Sequence, residues 1–131
     1  MDGFIDQMGE AAEDNRHFRR VLYTGKHLQL VLMSLAPGEE IGEEVHKDGD
    51  QFFRIEEGRG VVTIDGRESE IADGHGIVVP SGACHNIRNT GDKNLKLYTL
   101  YAPPNHRDGV VHHTRAEAEA DSEHFDGRTT E

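Results

Sequence analysis

The stretch from Gly38 to Gly58, GEEIGEEVHKDGDQFFRIEEG, holds the residues best suited to chemistry: Glu44 and His46 two positions apart, a glycine-containing turn, then Gln51. On a strand, residues i and i+2 project from one face. A carboxylate and an imidazole would therefore point the same way, and a turn folding the next strand back would bring Gln51 beside them. That is half of a metal site. The other half requires a histidine at the inward end of another strand, and His85 in SGACHNIRN is the candidate.

These residues need a β scaffold, and the rest of the chain supplies its pattern. HFRRVLYTG and HLQLVLMSLAPG read as two strands joined through Gly25-Lys26. After the KDGD turn, QFFRIEEG sets Gln51, Phe53 and Ile55 on one face and Phe52, Arg54 and Glu56 on the other. VVTIDG follows, with Asp65-Gly66 as the strongest hairpin signal, then RESEIADG, GIVVPSG, CHNIRN and LKLYTLYAPP. Short strands separated by Gly, Asp and Asn turns, with no helical period between them, describe an all-β sandwich or barrel spanning residues 17–104. Residues 1–16 form an acidic arm or short helix, expected to be ordered only when docked on a partner. Residues 105–131 comprise a His-bearing loop, a short helix opened by a Thr114/Glu117 capping box, and a polar tail expected to fray from about Asp121.

Composition narrows the function classes. The 25 acidic and 14 basic residues give a formal charge of −11, which repels phosphate backbones and anionic lipid heads. Nucleic-acid and membrane partners are disfavoured accordingly. The single cysteine, Cys84, has no intramolecular disulfide partner, and MDGFIDQMGEAAEDN offers neither a basic segment nor an apolar run for export. A cytoplasmic location is the expectation.

Two segments share a recognisable grammar. The first runs Gly38, five residues, Glu44, one residue, His46, four residues, Gln51, six residues, Gly58. The second runs Gly74, five residues, Pro80-Ser81-Gly82, two residues, His85, three residues, Asn89. Together they resemble the paired signature motifs of the cupin superfamily, small jelly-roll β-barrels that hold one metal ion inside. The family usually places His, His and Glu in the first motif and a further His in the second. Here Glu44 stands at the first His position and Gln51 at the Glu position. The ligand set implied by the resemblance is Glu44, His46, Gln51 and His85, one carboxylate and two imidazoles with an amide oxygen. Such a face suits non-haem Fe(II), and its donors also accept Mn, Ni, Co or Zn. Type I phosphomannose (mannose-6-phosphate) isomerases, themselves cupin-like, are similar in grouping a Gln, a Glu and two His around zinc.

Competing readings attach to individual residues. Glu44 is a ligand or one of a solvated acidic run with Glu39, Glu40 and Glu43, and Gln51 either binds the metal or bonds a group that does. Asp48 and Asp50 are read as turn chemistry, Cys84 as a small buried hydrophobe on the opposite face from His85, His75 as exposed, and His27 as capping a strand start. Phe53, Ile55 and Met33 are expected to line the pocket. His106 and His112, on the loop after the last strand, are proton-transfer candidates if that loop folds over the barrel mouth, with Glu44 as a possible base. The outward Phe52 suggests a homodimer. The functional expectation is a metal-dependent enzyme on a small oxygenated substrate, of oxygenase or isomerase type. The alternatives are a small-molecule-binding or sensing module, and a metal-free structural cupin.

Overall fold

Period-two alternation of buried and outward residues decides most of the chain. The computed structural model describes residues Met1–Glu131. In chain order it contains α1 (Met8–Asp14), β1 (Arg19–Thr24), β2 (Gln29–Leu35), β3 (Glu44–Val45), β4 (Asp50–Glu57) and β5 (Arg59–Ile64). There follow β6 (Arg67–Ala72), β7 (Gly76–Val79), β8 (Cys84–Asn89), β9 (Leu95–Ala102), β10 (Val111–His112) and α2 (Arg115–Ala120). On β4, Gln51, Phe53 and Ile55 are buried and alternate with half-buried Phe52, Arg54 and Glu56, as the sequence predicts. Ten strands form two antiparallel sheets, one ordered β10-β1-β2-β9-β4-β7 and the other β3-β8-β5-β6, packed face to face as a jelly roll.

Between the sheets lies one core. Met33, Leu35, Ile55, Ile87, Leu95 and Leu97 are completely buried there, each side chain contributing about 1.5–3 kcal/mol by leaving water. The Asp65-Gly66 turn has φ of 48° and 80°, the left-handed pair that a two-residue hairpin needs. Its Asp65 also accepts from the Cys84 N–H at 2.8 Å, tying the β5–β6 hairpin to β8.

Three segments depart from expectation. The N-terminal stretch docks on its own chain: α1 packs over β2, β4 and β9, where Ala12 is fully buried and Leu32 and Lys96 are covered. The Lys96 ammonium donates to the Asn15 carbonyl at the helix end. The loop after β9 contains a strand, β10, whose Val111 and His112 pair with Arg20 and Arg19. The tail beyond Asp121 returns to the body, because the Glu123 carboxylate is drawn in by His106 and the Thr130 N–H bonds the Thr24 carbonyl. The predicted capping box of α2 is present in both directions. On the outer face of the six-stranded sheet, Leu30, Leu100, Phe52 and Val78 stand in register across four strands. No helix is long and apolar enough to cross a membrane.

Candidate metal centre

Glu44 and His85 are directly opposed across the β3–β8 pair, and His46 follows β3 on the same side as Glu44. One ligand-type atom from each of Glu44, His46 and His85 lies within 4.8 Å of the others. His46 Nε2 is 3.0 Å from a Glu44 oxygen, and the two imidazole centroids are 5.3 Å apart. Burial opposes ionisation of Glu44, yet the hydrogen bond from His46 and the charges of His46, Arg19 and His85 leave its carboxyl below its ordinary range. Of the four acids in this run, Glu44 is the one grouped with His46 and His85.

Gln51 reaches the group from the facing sheet. Its amide N–H donates to Thr99 Oγ1 at 2.9 Å, while the Thr99 hydroxyl is itself spent on the Phe52 carbonyl at 2.8 Å. The orientation of the amide is thereby settled, and Oε1 faces His85 Nε2 at 3.1 Å. His85 sits 3.3 Å from the Ala83 carbonyl through Nδ1. A neutral imidazole has one N–H for these two oxygens, so one ring nitrogen always faces an acceptor; with the proton on Nδ1, the Nε2 lone pair is the one left for a cation. Burial, above all, lowers the His85 pKa, which keeps the imidazole neutral and fit for ligation. One carboxylate, two imidazoles and one oriented amide oxygen thus fit a divalent transition metal.

A second cluster adjoins the first. Tyr101, on β9 and in register with Gln51, stands edge-on to His46 with centroids 5.6 Å apart. Its hydroxyl is 3.2 Å from His106 Nε2, and His106 Nδ1 is 2.8 Å from the buried Glu123 carboxylate. Fully buried Gln29 fixes this loop by accepting from the Asn105 and His106 N–H groups and donating to the His106 carbonyl. Desolvation lowers the His106 pKa against the pull of Glu123, and burial raises that of Tyr101 well above the usual phenol value. His112 is buried too, but it contacts Arg19 and Asp121 rather than any of the four ligand candidates.

The remaining expectations divide. Asp50 accepts from the Ser81 N–H in a turn, and His27 and His75 are exposed in turns. Cys84 is half-exposed instead of buried, because β3 and the Asp65 turn cover only its backbone. The apolar pocket lining is corrected. Met33 and Ile55 lie deep in the core, and the cavities at the site have polar walls. One, of about 290 Å³, opens beside His46 and Tyr101 next to Lys47, Asp48 and Asp50. The other, of about 250 Å³, lies beside Glu44, His106 and Arg19. Arg19, Thr99, Tyr101 and Glu123 went unread in the sequence; the inward phase of β1 and β9 was the only signal for the first three.

Comparison with known proteins agrees with this architecture. The model of the cupin domain family matches residues 31–101, from β2 into β9. An uncharacterised Bacillus subtilis protein, YrkC, is 48% identical over 123 residues, covering 89% of this chain and 66% of that protein, just under two thirds of its length. The crystal structure of BH2720 from Bacillus halodurans superimposes with a TM-score of 0.89 at 47% identity, covering 92% of this chain and 96% of that one. The polyketide synthase protein CurC of Streptomyces cyaneus is 31% identical over 72 residues, 55% of this chain and 47% of CurC. With its strand order, its paired motifs and these matches, the chain belongs to the cupin domain family.

Proposed function

We propose that the protein is a metal-dependent enzyme acting on a small oxygenated molecule. The observation that carries this reading is the convergence of Glu44, His46 and His85 with the acceptor oxygen of Gln51, beside a buried Tyr101–His106–Glu123 chain. His46 and His85 would hold the ion with Glu44, and Gln51 would complete or steady the set. A divalent transition metal bound there supplies Lewis-acid polarisation of a substrate oxygen.

The chain's own groups supply proton handling. Glu123 accepts the Nδ1 proton of His106, so His106 Nε2 is free to accept from the Tyr101 hydroxyl. Tyr101 is thus a proton donor or acceptor at the wall of the site, with His106 behind it. Glu44 serves as ligand or base, and His112 acts through Arg19. Isomerase-type chemistry, as expected of a mannose-6-phosphate-isomerase-like cupin, would draw on this relay, and oxygenase-type chemistry would draw on the open ligand positions. The similarity to a protein named as a polyketide synthase component supports an oxygenated carbon skeleton as substrate. A cytoplasmic homodimer without nucleic-acid or membrane partners completes the proposal, with the Leu30–Leu100–Phe52–Val78 row as the contact face. Val78→Asp should convert it to a monomer on size-exclusion chromatography.

The test is turnover. Metal-loaded protein is screened against sugars, hydroxy acids and enols, in air and without oxygen. Conversion that requires metal, and that disappears in both His46→Ala/His85→Ala and Tyr101→Phe, supports an enzyme. Metal-independent binding with no conversion would instead favour the sensing module.

A further inference from the structure

Arg19 is the least explained charged group in the molecule. Its position on β1 turns it inward, and only 6% of it remains exposed. No carboxylate lies within ion-pair distance: its one hydrogen bond joins a terminal nitrogen to His112 Nδ1 at 3.2 Å, with Phe18 beneath the guanidinium. His112 in turn lies 3.0 Å from Asp121 through Nε2, so it can accept from Arg19 while donating outward. The Arg19 Nε is buried without any partner. A guanidinium keeps its charge at every pH a cell meets, and burying one without a paired anion is unfavourable.

The cavity it borders shows where that anion would sit. Glu44 and His106 line the same space of about 250 Å³, as does Arg115, whose Nε is likewise buried and unpartnered. The acids there are already engaged: Glu44 by His46, Glu119 by Arg115, Asp121 by His112 and Glu123 by His106. The Nε–H groups of Arg19 and Arg115 are the buried donors on this wall that no acceptor of the chain meets.

We propose that Arg19 holds the carboxylate of the substrate in this cavity, so that the molecule bound at the metal centre is a small carboxylic acid carrying a second oxygen. The proposal rests on the metal-centre reading for that second oxygen and on Arg19 alone for the first group. A planar guanidinium fork matches a carboxylate in two parallel hydrogen bonds. The carboxylates of Glu44 and Glu123 nearby would oppose the dianionic charge of a phosphate ester more strongly than the single charge of a carboxylate. His112 and Asp121 act as positioning residues that set the fork.

Calorimetric titration of the full chain with lactate and with its uncharged analogue lactamide tests this, on chelator-treated and on zinc-loaded protein, with zinc content measured each time. Lactate should bind at least about tenfold more tightly than lactamide, the difference expected of charge-assisted hydrogen bonds. Arg19→Gln should reduce that preference to about twofold or less without changing the zinc content. Equal affinity for the two compounds, or an Arg19→Gln protein that keeps the preference, overturns the proposal. An Arg19-dependent preference in protein that takes up no zinc on loading would sink the metal centre and leave the carboxylate site standing. Should Arg19→Gln fail to fold, NMR of the unaltered protein decides. The Arg19 Nε–H resonance should shift with lactate and not with lactamide, and an unmoved resonance refutes the assignment.

Discussion

His85 and His106 are both buried, both present Nδ1 to an oxygen of the chain, and both turn Nε2 toward another oxygen, yet they are built differently. His85 rises from β8 and is backed by a neutral carbonyl, that of Ala83. His106 lies on a loop clamped by Gln29 and is backed by the Glu123 carboxylate, delivered from a tail seventeen residues further on. Burial lowers both pKa values, but only at His106 does a hydrogen-bonded carboxylate pull back toward protonation. A neutral imidazole on a rigid strand suits a ligand; one whose added charge a carboxylate would balance suits a proton carrier. In the proposed function the strand-built half would hold the ion and the loop-built half would carry protons.

Stability should divide along the same line. Phe53, whose ring centroid is 6.1 Å from that of His85, lies in the core between the sheets. Phe53→Ala should cost about 3–5 kcal/mol in urea unfolding and disturb the whole barrel. Glu123→Ala, at the loop-built half, should cost about 1–3 kcal/mol, because the Arg107 N–H and His106 lose their acceptor. Hydrogen exchange separates the two: Glu123→Ala should speed exchange in residues 105–131 while β4 and β9 stay protected, and uniform acceleration would erase the distinction.

Acid should act on both halves, since the carboxyl and imidazole pKa values are lowered at Glu44 and His85 as they are at Glu123 and His106. The folded pKa of Glu123 is held below its ordinary value: burial raises it, but the hydrogen bonds from His106 and the Arg107 N–H prevail. That stability is present above the unfolded carboxylate value and is lost as pH falls through the folded one. His106 has a depressed folded pKa, so the unfolded chain takes up a proton first and stability declines as pH drops below about 6.5. Both signs agree. Thermal melts should fall between neutral pH and pH 4, more steeply for Glu123→Gln, because His106 then loses the carboxylate that pulls its pKa back up, and a variant with an unchanged slope would contradict the assignment. The smallest effect is expected at the α2 cap, where Thr114→Ala should lose about 0.5–1 kcal/mol at most, since the helix buries no residue completely.

The strand-built half was legible in the sequence because each of its parts is local. Glu44 and His46 share a face by period two, glycine turns mark the strand ends, and the spacing around His85 repeats a known pattern. Arg19, Tyr101 and Glu123 were not legible. Which inward residue of a distant strand meets the site depends on sheet order and register, and those arise from the packing of all ten strands. Nothing near Glu123 in the chain distinguishes it from the other acids of the tail; the buried His106 and the Arg107 N–H select it. The docking of α1 was hidden for a related reason, since the surface that receives it is assembled from β2, β4 and β9.

The most direct measurement is elemental analysis of the purified protein alongside the His46→Ala/His85→Ala double variant, both checked for folding by circular dichroism. About one transition-metal ion per chain in the native protein and none in the folded double variant is the expected result. A folded native protein that holds no metal after reconstitution with Fe(II), Mn, Ni, Co or Zn, or a double variant that retains the full complement, would contradict the metal centre.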